Sequence, residues 1–193
     1  MKLLITGFEP FGGETINPAW EAVRALPERV GEWELSKLRV STVFGLAASQ
    51  VIDAANKEKP DAILCVGQAG GRNAVTPEMT AINLRYASIA DNDGNRRQDE
   101  PIVPQGPAAY FSTLPARKMA AAIASIGLPG KVSYSAGTFV CNDLFYSLLH
   151  HFSASSIKVG FIHVPFLPEQ GVPCLPLEKA VSALKEAVLA IAE

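Results

Sequence analysis

The sequence predicts an α/β protein whose sheet is covered by helices on both faces. Three observations predict it. Short apolar runs such as Leu3-Leu4-Ile5 and Ala62-Ile63-Leu64-Cys65-Val66 have the length and unbroken hydrophobicity of buried strands. Segments of helical periodicity separate the strands, the alternation expected of an α/β chain. Glycine-rich loops follow two of the strands, at residues 7–13 and 67–71.

Residues 2–6 form the first strand, ended by the loop Gly7-Phe8-Glu9-Pro10-Phe11-Gly12-Gly13. Asn17 caps the next helix and Pro18 takes its first position, where a missing N–H costs nothing. That helix runs to about residue 26. Residues 34–43 read as a strand and 46–58 as a helix that Lys59-Pro60 stops. Residues 61–66 form a buried strand, which makes Cys65 a core residue. A loop over 68–71 precedes a strand of mixed pattern at 76–84. Asp91-Asn92-Asp93-Gly94-Asn95 is a turn signal, and the proline-rich stretch 91–115 is a long surface excursion of the kind that often carries function. A helix at 115–126, a strand at 132–135, a helix at 141–152, a strand at 159–164 and a final helix at 176–192 follow. With no repeat, low-complexity tract or linker, residues 1–193 read as one domain.

The chain carries 17 Lys and Arg against 19 Asp and Glu, a formal net charge of −2. That balance lacks the basic footprint of a nucleic-acid binder and any polybasic patch for a membrane surface. No apolar run approaches the roughly 18 residues that span a bilayer. Leu3-Leu4-Ile5 is also too short for the apolar core of a signal peptide, so the expected location is cytoplasmic. Cys65, Cys141 and Cys174 are widely spaced and odd in number, which suits free thiols in a reducing compartment. They form no zinc-ligand spacing with His150, His151 and His163, so neither a metal nor a cofactor is expected.

Cys141 opens a predicted helix, with Leu144, Phe145, Leu148 and Leu149 continuing its buried stripe. A thiol there meets unpaired backbone N–H groups and the positive end of the helix dipole. Both favour thiolate, the nucleophilic form, and the same N–H groups can hold an oxyanion. The position suits a small core thiol equally well. Asp143 would oppose a thiolate unless its side chain turns to solvent. His163 lies near a strand end, where open α/β sheets build their sites, and is a candidate base or else a core histidine. His150 and His151, about 14 Å along the helix from Cys141, read as cations at its C-terminal end. Glu78 is one of many carboxylates that could orient a base. Phe8 and Phe11 suit a flat apolar ligand better than a phosphate, although core packing would serve them as well.

Several segments together are more specific. Gly7-Phe8-Glu9-Pro10-Phe11-Gly12-Gly13 with Asn17-Pro18, Gly67-Gln68-Ala69-Gly70-Gly71-Arg72, Ala81-Ile82-Asn83, Gly106-Pro107-Ala108-Ala109-Tyr110-Phe111, Gly137-Thr138-Phe139-Val140-Cys141-Asn142 and Phe161-Ile162-His163-Val164-Pro165 resemble the pyroglutamyl peptidase I family, the pyrrolidone-carboxylate peptidases. The match runs in order from residue 3 to about residue 170. The resemblance implies a three-layer α/β/α sandwich with a mixed, mostly parallel sheet, like that of nucleoside phosphorylases. It implies a cysteine exopeptidase that removes N-terminal pyroglutamate through a thioester, and a Cys-His-Glu triad falling on Cys141, His163 and Glu78. The lactam cradle falls on Phe8, Phe11 and Phe139, with Val140, Gln68 and Asn17 at or beside the pocket. The implied partners are peptides with N-terminal pyroglutamate, and the implied assembly is a homotetramer.

Three positions depart from the family pattern. Met79 stands where an Arg usually follows the Glu, Ser88 where an Arg is expected near the oxyanion, and Asp143 where a His usually follows Cys-Asn. Losing one oxyanion donor costs roughly 10²–10³ in rate. The alternative reading is therefore a weakly active or non-catalytic homologue that binds pyroglutamyl peptides. Fold analogy alone suggests a third, a nucleoside phosphorylase-like enzyme, for which the sequence offers no evident cationic phosphate site.

Overall fold

The computed structural model describes residues 1–192. Its elements run β1 (Lys2–Phe8), α1 (Pro18–Ala25), β2 (Arg29–Val30), β3 (Trp33–Val40), α2 (Leu46–Glu58), β4 (Ala62–Gln68), β5 (Thr76–Pro77), β6 (Thr80–Ile82), β7 (Ala109–Phe111), α3 (Ala116–Ser125), α4 (Val140–His151), β8 (Lys158–Val164) and α5 (Leu177–Leu189). The main sheet has the order β2-β3-β1-β4-β8-β5. β3, β1, β4 and β8 are parallel, and the short edge strands β2 and β5 run antiparallel to them. β6 and β7 form a separate antiparallel pair.

Alternation along the strands divides the core between two faces. Leu3, Ile5, Leu64, Val66, Ile162 and Val164 point to the face covered by α1, α3 and α5. Leu4, Ile63, Cys65, Val159 and Phe161 point to the face covered by α2 and α4. Each such aliphatic or aromatic side chain stabilises the fold by about 1.5–3 kcal/mol when fully buried. The architecture is thus the expected α/β/α sandwich on a mixed, mostly parallel sheet. Because β1, β4 and β8 run in one direction, their carboxyl ends open on one side of the molecule, where such sheets place ligands.

The structure corrects five local expectations. The stretch 76–84 is two strands in two sheets, because Pro77 has no N–H to extend a ladder and the chain leaves the main sheet after it. The expected strand at 132–135 is irregular chain tied to the sheet edge by one bridge, Glu78 to Ser133. The expected strand at 34–43 ends at Val40, and the final helix ends at Leu189. His150 is not simply a cation at a helix end. Its Nδ1 lies 2.9 Å from the Tyr110 hydroxyl, and its ring stacks on Tyr146 at 6.2 Å.

Candidate active site

The site is built on one face of the sheet, at the carboxyl ends of β4 and β8. Gly67 of β4 is paired with His163 of β8 in parallel register. Neighbouring strands lie about 4.8 Å apart and registered residues share a face. A Cβ added at Gly67 would come within 2.9 Å of the Cys141 Sγ and 2.8 Å of the Phe161 ring. The glycine is therefore the hollow into which the thiol settles, and the imidazole occupies the adjacent position of the same face. Cys141 and His163 line one cavity of about 670 Å³.

Glu78 stands behind the imidazole. Its Oε1 lies 2.7 Å from His163 Nδ1, and both side chains are almost wholly buried. An ionised carboxylate only accepts, so Nδ1 donates, and whenever the ring is neutral its Nε2 is left as an acceptor. The backbone fixes Glu78 from both sides, since its N–H donates to the Phe161 carbonyl and Met79 donates to Ser133. Burial acts to raise the Glu78 carboxyl. The His163 hydrogen bond and charge outweigh it, with Ser133 and Arg72 adding to them, and hold the carboxyl below its ordinary range.

Cys141 is the second residue of α4, one position further in than the sequence suggested. The helix start was expected to favour thiolate, but the environment acts the other way. Burial, with the Glu78 carboxylate and Cys65 as lesser causes, pushes the thiol up to about 12 against the pull of Arg72 and its own backbone N–H. Desolvation of a thiolate outweighs the few N–H groups offered by one helix turn. Burial thus disfavours a thiolate at Cys141 in the resting site.

Asp143 does not turn to solvent. It is fully buried, its Oδ1 2.5 Å from Arg85 Nε and its Oδ2 accepting from the Gly45 N–H at 2.7 Å. Its charge is met by a guanidinium rather than by water, which removes the objection it raised to a nearby nucleophile. Asn142 is equally committed. Its Oδ1 accepts from the Ile82 N–H, and its Nδ2 donates to the carbonyls of Ile82 and Leu84. These two residues of α4 fasten the chain between 82 and 88, which also bonds Tyr86 N–H to the Thr138 carbonyl. That segment then lays Tyr86, Ala87, Ser88 and Ile89 along the cavity wall.

The other expected site residues divide. Phe11, Gln68 and Phe139 line the cavity with Cys141 and His163. The Phe11 and Phe139 rings lie 5.8 Å apart, and Phe44 meets Phe139 edge-on at 5.4 Å. Phe8 lies instead in the core, 6.4 Å from Phe161. Val140 is fully buried. Asn17 is the helix cap that its sequence position suggested, accepting from the Ala19 N–H and donating to the Glu9 carbonyl. None of these last three side chains is among the lining residues.

Arg72 was not anticipated at the site. Its Nη1 donates to Glu78 Oε1 and to Thr76 Oγ1, both at 2.6 Å, and its Nη2 to the Ser135 carbonyl at 3.3 Å. No grouping of three or more His, Cys, Asp or Glu side chains suited to a metal ion occurs among the described residues.

Comparison with known proteins gives this arrangement a setting. The family model for pyroglutamyl peptidase matches residues 1–193. The chain is 51% identical to the pyrrolidone-carboxylate peptidase of Levilactobacillus brevis, covering 99% of this chain and 97% of the relative. It is 47% identical to that of Bacillus subtilis, with coverages of 100% and 93%. The crystal structure of pyroglutamyl peptidase I from Bacillus amyloliquefaciens superposes with a TM-score of 0.96 at 47% identity, over 99% of this chain and 96% of that one. A mutant pyrrolidone carboxyl peptidase from Pyrococcus furiosus superposes at 0.94 and 38% identity, over 100% and 98%. Full-length similarity of sequence and backbone, around a cavity that holds a cysteine and a carboxylate-bound histidine, means that the chain belongs to the pyroglutamyl peptidase family.

Proposed function

We propose that Cys141, His163 and Glu78 carry out the family's reaction in this chain, the hydrolysis of the amide bond that follows an N-terminal pyroglutamyl residue. The observation that carries this reading is the Glu78–His163 hydrogen bond at 2.7 Å beside a thiol in the same cavity. His163 Nε2 takes the thiol proton as Sγ attacks the pyroglutamyl carbonyl carbon. Unpaired N–H groups at the start of α4 hold the oxyanion. The C–N bond then breaks, the imidazolium gives its proton to the leaving amine, and a thioester remains. Water attacks the thioester, with His163 receiving its proton and returning it to sulfur. Glu78 stays ionised throughout and stabilises the imidazolium. Because burial raises the Cys141 thiol, proton removal accompanies the attack rather than preceding it.

The apolar end of the cavity at Phe11, Phe139 and Phe44 suits an uncharged lactam. A free ammonium there would lose its hydration without a counter-charge, which is costly. The resemblance implies a lactam cradled by aromatic rings, of which Phe11 and Phe139 line the cavity. Two contacts of about 3.5–4 Å each need about 7–8 Å between rings, more than the 5.8 Å between Phe11 and Phe139. The lactam therefore packs against the pair, not between its rings. A cavity of about 670 Å³ also leaves room for the peptide beyond the lactam.

The same reading treats residues 1–193 as one peptidase domain, with a cytoplasmic location and a homotetrameric assembly. Three free cysteines support a reducing compartment such as the cytoplasm. Exposed Phe111, Tyr134 and Val172 offer apolar surface for self-association. Among the described residues no helix is long and apolar enough to cross a membrane. The test is fluorophore release from a pyroglutamyl amide. The enzyme is expected to release it and to leave the matching glutamyl amide intact. Full turnover by Cys141→Ser would end the assignment of the nucleophile.

A further inference from the structure

We infer that Arg72 is a positioning residue for the reaction, clamping the Glu78 carboxylate that orients His163 and supplying the positive charge of the cavity. The inference rests on the catalytic roles given above. Arg72 and His163 bind the same oxygen of Glu78, at 2.6 and 2.7 Å. A carboxylate gripped at one oxygen by two donors from different directions cannot rotate without breaking one of them. The grip extends further, because Arg72 also bonds Thr76, the β5 residue in register with His163, and the carbonyl of Ser135 on the loop that leads into α4. One guanidinium thus links the acid, the strand edge beside the base and the approach to the nucleophile. Its fork of donors makes this possible; an ammonium would satisfy the charge but not the directions.

The charge is as informative as the geometry. Arg72 is the one Lys or Arg among the residues lining the cavity, where Ser88 and Ser135 are uncharged. It is about one-third exposed, so it faces both the buried carboxylate and the open cavity. The ionisable groups around the reacting pair are Glu78 and Arg72, with Cys65 of β4 beside the thiol; Asp143 of α4 is matched by Arg85. Removing the Arg72 charge leaves Glu78 as the nearest ion. A thiolate at Cys141 then becomes harder to form.

Three variants test this: Arg72→Gln, Arg72→Lys and Cys141→Ser, each checked for its melting transition. Arg72→Gln is expected to lower kcat about 10–100-fold with KM nearly unchanged, the scale seen when an orienting partner is removed. Its acid limb in kcat/KM against pH, and the pH dependence of Cys141 alkylation by iodoacetamide, are both expected to move to higher pH. Arg72→Lys is expected to restore both pH dependences but not kcat. Overturning results are unchanged kcat in Arg72→Gln, a loss confined to KM, or reduced kcat with both pH dependences fixed. If Arg72→Gln does not fold, Arg72→Lys decides alone, since wild-type kcat in it would refute a role for the donor fork. Activity of the wild type and its absence in Cys141→Ser test the nucleophile separately, so failure of one reading is distinguishable from failure of the other.

Discussion

Gly67→Ala adds one methyl group at the place where the structure says the thiol rests. The backbone there is not in the left-handed region, so alanine brings no conformational strain and its effect is steric. The added carbon would meet Phe161 at 2.8 and 2.9 Å and the Cys141 Sγ at 2.9 Å, whereas ordinary contact begins at 3.4 Å. The neighbours must therefore recede by 0.5–0.6 Å, from 3.4 − 2.9 and 3.4 − 2.8. Phe161 has little room to recede, being packed against the rings of Phe8, Phe145 and His163 at 6.4, 5.7 and 4.8 Å. The sulfur must take most of the displacement. Overpacking of this kind costs about 1–3 kcal/mol. For a chain of this size that lowers Tm by roughly 2–4 °C per kcal/mol. A misplacement of about 1 Å can cost 10² in rate, so half of that predicts a loss near tenfold in kcat. Calorimetry and initial rates on a pyroglutamyl amide measure both quantities. A variant with wild-type kcat and an unchanged Tm would refute the seating of sulfur over Gly67.

Three further outcomes are expected. Arg85→Ala leaves the buried Asp143 carboxylate with only the Gly45 N–H and should destabilise the protein by about 3 kcal/mol in urea unfolding, the usual cost of breaking a buried pair. Glu78 is held below its ordinary range in the folded state, so the stability it contributes is fully present above the unfolded carboxyl's pKa of about 4.3 and is lost as pH falls through the folded value. Glu78→Gln should remove that acid-side slope between about pH 5 and lower values, and should lower kcat by roughly 10²–10⁴ by weakening the hold on the imidazole. Because burial raises the Cys141 thiol, its alkylation by iodoacetamide should be slower than that of free cysteine at pH 7 and climb through the alkaline range. A rate already level below pH 7 would show a preformed thiolate instead.

The sequence was most legible where a signal is local. The apolar runs of β1, β4 and β8, the Asn17-Pro18 helix start, and His163 near the end of β8 all follow from short-range pattern. Phe8 was open to either a ligand or the core; counting by two from Leu4 through Thr6 puts it on the face covered by α2 and α4, where it packs against Phe161 short of the cavity. The irregular stretch 132–135 has strand-like composition, but its neighbour is a two-residue edge strand interrupted by Pro77, which leaves it only a bridge. The partners of Asp143 and Asn142 lie 58–98 residues away in sequence, as Arg85, Gly45 and Ile82. No periodicity or capping rule reaches across such separations. Arg72 is a different case: Glu78 lies only six residues on, but the intervening loop carries no periodic signal, so the guanidinium reads as surface charge until the fold brings Glu78 beneath it.

The amide of Asn142 meets Ile82 as another strand's backbone would, accepting from its N–H and donating to its C=O. The outer edge of β6 in the small β6–β7 ribbon is thereby capped at Ile82 by a helix side chain. An open rim of this kind is a template for pairing with another chain. The residue next to Cys141 consequently shields one strand edge as well as steadying the cavity wall. A replacement there should show its effect in turbidity and colloidal behaviour as much as in turnover.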